Sequence, residues 1–430
     1  MEKLNTISKI RFLKVLKENE YTLNVTKLVS GTLTGNIIIL ISMPILSRIY
    51  SPVDFGTFQQ FISFSSIFLI FGTLSFHSAI LLPDSDKEVR ALTLISFIVL
   101  MIITIIILSF ISLLPTSMFD FLNAEEVIQH NYFIPLIVFW TGLQLILENL
   151  MLQQKRFMKL SIFRVIRTLL SQVGALLLSI IFLNFLGLLI SYICSFIIVT
   201  ICILIYLKFY LRFKDLSFER IRATIRKYKK FPLVDTPSMF INTISNEMPI
   251  YLLTLFHAPE KIGLYAVAFR LLRAPISILG TSFGEAYFQK GSEIFNRSKE
   301  DLTPFFLATL KKLTAIAGLL CLVVFFFSNM LVELYLGPHW IEVATIMKIL
   351  MVWLFFEFLY NPVSTSFLIT KRLEVLFALN LSLLVFRTGS MYFFRSSAMQ
   401  LILALSVTSA IFYMIYILTA LFVVKKESYA

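Results

Sequence analysis

Apolar stretches of about twenty residues recur twelve times along this chain, and only short polar segments fit between them. A hydrocarbon core about 30 Å thick needs roughly 17–25 apolar residues per crossing helix. On that scale the first half predicts spans at 26–48, 55–83, 91–114, 131–152, 160–184 and 186–208. The second half predicts 233–256, 262–289, 304–328, 341–369, 373–393 and 397–424. The gap at Asn184–Gly187 is thin enough for two spans to read as one long helix. Hydrophobic residues make up 58% of the chain and charged residues 15%, against roughly 45–50% and 25% in soluble domains. A mean hydropathy of +0.86 leaves no room for a sizeable soluble domain. The expected fold is all-α and integral to the membrane. It comprises a cytoplasmic segment at 1–25, a six-helix lobe at 26–208, a basic linker at 209–232, a second lobe at 233–424 and a tail at 425–430.

A net charge of +13 would suit a nucleic-acid binder, but the basic residues sit in short segments between apolar stretches. That is the pattern of cytoplasmic loops, so the charge reads as topology and no nucleic-acid partner is expected. One side collects the N-terminal segment, Lys87, Arg90, Lys155, Arg156, Lys159 and nine basic residues from Lys208 to Lys230. It also collects Lys290, Arg297, Lys299, Lys371, Arg372, Lys425 and Lys426. The other side has little beyond Arg48, Lys261 and Arg395, and its loops around Asp120–His130 and Glu333–His339 have no Lys or Arg. Both termini are therefore expected in the cytoplasm. The first 25 residues are basic with no long apolar core, so no cleaved signal peptide is expected and the first span itself directs insertion. Cys194, Cys202 and Cys321 all fall inside apolar stretches, and no CxxC or Cys/His cluster points to a metal or other cofactor. Within the linker, Phe218, Ile221, Ile225 and Tyr228 recur at helical spacing among basic residues. This predicts an amphipathic helix on the anionic membrane lipids of the cytoplasmic leaflet, or a linker that only holds topology.

A repeat lies inside the apolar text. Ser51-Pro52-Val53-Asp54-Phe55-Gly56-Thr57-Phe58 follows the first span, and Ala258-Pro259-Glu260-Lys261-Ile262-Gly263-Leu264-Tyr265 follows the seventh. They share a small residue, Pro, an apolar residue, Gly and an aromatic at an offset of 207 residues. Six spans per half give both copies the same orientation, a parallel repeat of transporter type. In the eighth span Ala266, Arg270, Arg273, Ser277, Gly280 and Gly284 mark one helical face. Shifting the last five back by 207 gives Ser63, Ser66, Ile70, Thr73 and His77 in the second span. Equivalent helices with equivalent polar faces suit a shared interior, although small residues also mark packing faces.

Arg270 and Arg273 are the sharpest signal. Counting from Ile262 places them about 12 and 16 Å into the membrane. Each costs about 2.5–3.5 kcal/mol at mid-depth, which a wet, anion-accepting cavity would offset. Guanidinium groups suit diphosphates because they donate bidentate, charge-assisted hydrogen bonds. The alternative is structural pairing with Glu247 and Glu357, and the two roles are compatible. Asp235, Ser238, Asn242 and Asn246 recur at helical spacing ahead of Glu247. Candidate substrate-binding residues are thus Arg270, Arg273, Ser63, Ser66, Ser277 and Asn242; Glu247, Glu357 and His77 are candidates for coupling or charge pairing. Pro249, Pro275 and Pro362 would bend or break their helices. Gly31-x-x-x-Gly35 reads as a close-packing motif, and Arg164 and Arg167 as snorkelling residues without a substrate role. Asp84-Ser85-Asp86 resembles a glycosyltransferase DxD, but its short loop carries no catalytic domain and reads as a solvated turn.

The run from Ser47 to Phe58 resembles the opening of Wzx-type polysaccharide and O-antigen flippases. Tyr265-Ala266-Val267-Ala268-Phe269-Arg270-Leu271-Leu272-Arg273-Ala274-Pro275 is similar to the start of their eighth helix, and Phe288–Glu293 continues the likeness. That family belongs to the multidrug/oligosaccharidyl-lipid/polysaccharide exporter superfamily. The resemblance implies two six-helix repeats around a central cavity in the bacterial cytoplasmic membrane. It implies flipping of undecaprenyl-diphosphate-linked oligosaccharide for O-antigen or capsule by alternating access, with a polymerase and a chain-length regulator as partners. The alternatives are a multidrug or small-cation exporter of the same superfamily and an integral-membrane polymerase. The polymerase usually carries a large external loop, which this chain lacks.

Overall fold

The computed structural model describes residues 30–113, 121–208, 210–211, 216–370 and 372–428. The whole of the predicted basic N-terminal segment, part of the basic linker, Lys371 and the last two residues of the predicted tail lie outside the described residues. The long helices of the first half are α1 (Ser30–Ile49), α2 (Pro52–Thr73), α3 (Asp86–Leu113), α4 (Phe133–Gln153), α5 (Phe157–Leu178) and α6 (Phe185–Leu207). Those of the second are α7 (Thr236–Phe256), α8 (Pro259–Arg297), α9 (Leu302–Leu336), α10 (Ile341–Val363), α11 (Leu373–Phe393) and α12 (Ala398–Ser428). Ten of these twelve are long and apolar enough to cross a membrane. The other two, α7 and α8, carry the predicted polar faces.

Helix ends follow the sequence closely, with informative departures. The second helix stops at Thr73 because Leu74 and Ser75 take positive φ, at 44° and 56°; a short helix, Phe76–Ala79, follows. Such backbone is uncommon outside glycine and cannot continue a right-handed helix. At 39 and 35 residues, α8 and α9 exceed the hydrocarbon core and project beyond it. Helices α5 and α6 are separate: Asn184 caps α6, its side chain accepting from the Leu186 N–H at 3.2 Å. Pro249 and Pro275 stand inside continuous helices, and Pro362 stands one residue before the end of α10. None breaks its helix, a tolerance of proline that is general in membrane helices. Asp84-Ser85-Asp86 is a turn leading into α3, with Asp86 in the first turn of that helix.

The chain divides into two compact units. One comprises residues up to Ser42, Phe64–Pro115 and His130–Ile244; the other comprises Met43–Ser63, Thr116–Gln129 and Ser245–Ala430. In the first unit α4 is the inner helix, packed on α3 and α6. The Gly31/Gly35 face of α1 lies on Ser161 and Thr168 of α5, so close at Gly31 that a methyl there would overlap the Ser161 hydroxyl. In the second unit α10 is the inner helix, packed on α8, α9 and α12. Tyr287, Phe306, Tyr360, Phe367 and Tyr416 form an aromatic core beside it. Large apolar side chains such as Ile102, Ile105, Ile106, Phe325 and Phe326 are exposed along α3 and α9. Contact with water would cost about 25 cal/mol per Å² of that surface, and hydrocarbon removes the cost.

The amphipathic segment forms a helix at Phe218–Lys227 in the first unit, capped by the Ser217 side chain. It docks on α3 through buried Thr224 and Tyr228, and Lys227 Nζ reaches both Glu88 oxygens at 2.8 and 2.9 Å. That hydrogen bond raises the Lys227 pKa. Of the predicted apolar stripe, Phe218 and Ile225 stay exposed. Arg48, Lys261 and Arg395, the three basic residues expected on the side otherwise poor in them, have local partners. Arg48 donates to the carbonyls of Leu334 and Tyr335 at the end of α9, Lys261 binds Glu342 at 2.7 Å, and Arg395 lies over the Tyr392 ring.

Candidate functional site

Both repeat segments start a helix in the same way. Ser51 precedes Pro52 at the first position of α2, and the Asp54 carboxylate accepts from the Ser51 N–H at 2.8 Å and its hydroxyl at 2.6 Å. Ala258 caps α8 with extended backbone and Pro259 follows. The two copies meet inside the second unit. A methyl built on Gly56 would overlap the Pro259 carbonyl oxygen, and one on Gly263 would overlap that of Pro52. Each glycine therefore admits the backbone of the other copy, and the contact is reciprocal about a local two-fold relation.

Two turns beyond Gly56 along α2, Ser63 is fully buried. Its hydroxyl donates to Glu247 Oε2 of α7 at 2.6 Å and accepts from Gln59 Nε2 at 3.3 Å. The Tyr251 hydroxyl donates to the Ser63 carbonyl at 2.8 Å, fixing α7 against α2 beside the carboxylate. A polar residue pair from two distant spans thus becomes one hydrogen-bonded group.

A second group forms around α8 and α10. Arg273 Nη1 lies 2.9 Å from Glu357 Oε1, with the arginine side chain 45% exposed and the glutamate 4%. Tyr265 stacks on Phe269, and Phe269 on Trp353 of α10 at 5.6 Å. The guanidinium of Arg273 covers the Phe269 ring at 5.2 Å, and that of Arg387 on α11 covers Trp353 at 4.8 Å. Two cations therefore lie on neighbouring rings of one stack, an arrangement worth about 0.5–2 kcal/mol per cation. Arg387 is 4% exposed, and its Nε donates to the Ser409 hydroxyl of α12 at 2.9 Å.

The remaining predicted residues fall elsewhere. Arg270 is half-buried one turn before Ala274 on α8. Ser277 lies in the same helix, but its side chain is outside the described residues. Ser66, Asn242 and His77 belong to the first unit, Ser66 half-buried and Asn242 exposed. His77 is buried after the break in α2, its Nδ1 sharing a 2.6 Å hydrogen bond with the Thr73 hydroxyl. Arg164 and Arg167 depart from the snorkelling expectation. Arg164 puts Nε and Nη2 on Glu148 Oε2 at 2.9 and 2.6 Å, and Arg167 Nη1 lies 3.6 Å from the other oxygen. Glu148 is buried on α4, and a buried carboxylate holds the nearest cations inward. Thus α4 and α10, the inner helix of each unit, each carry a buried glutamate paired with arginine. Arg387 escaped the sequence reading, although an arginine in the middle of an apolar span is the same signal that marked Arg270 and Arg273. No group of three or more His, Cys, Asp or Glu able to hold a metal occurs among the described residues.

Residues 45–345 match the model of a family described as polysaccharide biosynthesis protein. No curated protein matches the chain in sequence. Among solved structures, a multidrug resistance MATE family transporter of the MOP superfamily, in an inward-facing conformation, matches with a TM-score of 0.69 and 15% identity. The match covers 94% of this chain and 96% of that one. The lipid II flippase MurJ in an inward closed conformation matches with a TM-score of 0.69 and 14% identity, over 94% and 90% of the two chains. A MOP superfamily transporter from Pyrococcus furiosus, described for the reverse polarity of its binding pocket, matches with a TM-score of 0.57 and 13% identity, over 94% and 96%. The chain belongs to the polysaccharide biosynthesis protein family, carries many helices able to cross a membrane, and shares the fold of these solved transporters.

Proposed function

We propose that this protein flips undecaprenyl-diphosphate-linked oligosaccharide from the cytoplasmic to the outer leaflet of the bacterial cytoplasmic membrane. The observation that carries the reading is Arg273, a half-exposed guanidinium inside a membrane helix, held at one nitrogen by a buried carboxylate. A cation in that position has hydrogen-bond donors to spare for an incoming diphosphate, with Arg270 one turn away on the same helix. Family membership supports a polysaccharide precursor as cargo over a drug or small cation. Ser63, Ser66, Ser277 and Asn242 are assigned contacts to the sugar or phosphate. Glu247, held by Ser63, is assigned charge balance or proton coupling during the return step. A polymerase and a chain-length regulator acting on the same precursor are the proposed partners. A strain lacking the protein should lose its surface glycan and accumulate the lipid-linked precursor; normal surface glycan in that strain would refute the reading.

The proposed orientation, with both termini cytoplasmic, has its own test. In a cysteine-free background, a cysteine replacing exposed Glu125 should react with an impermeant thiol reagent added from outside. One replacing exposed Ser217 should react only after the membrane is opened. The reverse pattern would invert the topology.

A further inference from the structure

We propose that Glu357 changes partner during the transport cycle, leaving Arg273 for Arg387 when an anionic substrate takes Arg273. This inference rests on the diphosphate reading above and adds the residue that makes capture of Arg273 affordable. Glu357 is 4% exposed and cannot follow Arg273 toward the substrate. Losing its partner would strand a buried carboxylate, which is strongly unfavourable. A substrate would have to supply that free energy on binding unless a second cation stood ready.

Arg387 is that cation. Its Nη2 is buried without a hydrogen-bond partner, and so is Oε2 of Glu357. One lacks an acceptor and the other a donor. Trp353, on whose ring Arg387 lies, is four residues before Glu357 on α10 and so shares its helical face. The Tyr265 and Tyr413 hydroxyls stand within electrostatic range of Glu357, Arg273 and Arg387 together. Arg387 itself cannot serve the substrate directly, because it is enclosed between α10 and α12 and anchored on Ser409. It is a positioning residue that keeps the buried charge balanced in both states.

The test is calorimetric titration of the purified full-length protein in detergent with inorganic pyrophosphate. Wild type should bind, and Arg387→Met should weaken binding about tenfold or more, because capture then strands Glu357. Arg387→Lys, which keeps the charge, should lie between the two. Glu357→Gln should bind more tightly than wild type, since Arg273 is no longer held by a carboxylate. On that background Arg387→Met should have no further effect, because no charge remains to be handed over. Should Arg387→Met fail to fold, the double variant and Arg387→Lys carry the same comparison. Wild-type affinity in Arg387→Met, or a deficit that persists undiminished beside Glu357→Gln, would overturn the handover alone. Absence of pyrophosphate binding by wild type would overturn the diphosphate reading and the handover with it.

Discussion

Arg273→Ala is expected to abolish export of the surface glycan while the protein stays inserted and abundant. Two effects of the substitution must be separated, because Arg273 also neutralises buried Glu357. Removing the cation costs stability to the extent that Arg387 fails to take up the carboxylate, about 3–5 kcal/mol if Glu357 is left wholly stranded. Replacing Glu357 by Gln in the same chain removes that penalty and leaves substrate recognition as the only loss. The double variant should therefore recover wild-type thermal stability and still fail to export. Arg273→Lys keeps the charge without the bidentate fork and should retain a minor part of the activity. Export restored by Glu357→Gln would show that Arg273 serves only to pair, and would refute its substrate role.

The second large effect is expected at the crossing of the two repeats. A methyl at Gly56 or at Gly263 meets the backbone of the other copy, and backbone has little room to move aside. Gly56→Ala and Gly263→Ala should each destabilise by about 1–3 kcal/mol, the usual cost of overpacking. Either methyl separates the same pair of helix starts, so the double variant should cost less than the two single costs combined. Thermal unfolding of the three variants in detergent measures this directly. Full additivity would mean that the two glycines act independently and that the reciprocal contact is not a single structural element.

Much of this architecture was legible before any coordinates. Twelve apolar stretches specify twelve helices because each must satisfy its own backbone groups in hydrocarbon. The repeat was legible because Pro at the first helical position and Gly one turn later are constrained by backbone rather than by sequence neighbours. That the two glycines touch each other was not legible, since a pattern reports equivalence and not contact. The break in α2 was hidden for a different reason: Leu74 and Ser75 are ordinary residues in a left-handed conformation, with neither Gly nor Pro to mark it. Arg273 and Glu357 stood out as charges in apolar text, and Ser63 emerged from the repeat offset. Arg164 and Arg167 were misread because their position near a predicted helix start suggested the surface. Their partner Glu148 belongs to another helix, and only packing brings the three together.

The central claim concerns cargo and the arginines that bind it. Its most direct test is flipping of undecaprenyl-diphosphate-linked oligosaccharide in liposomes holding the purified protein, with and without an imposed pH gradient. Wild type should move the lipid between leaflets, Arg270→Ala and Arg273→Ala should not, and Glu247→Gln should slow flipping and weaken any response to the gradient. Flipping at the wild-type rate by the protein lacking both arginines would contradict the account.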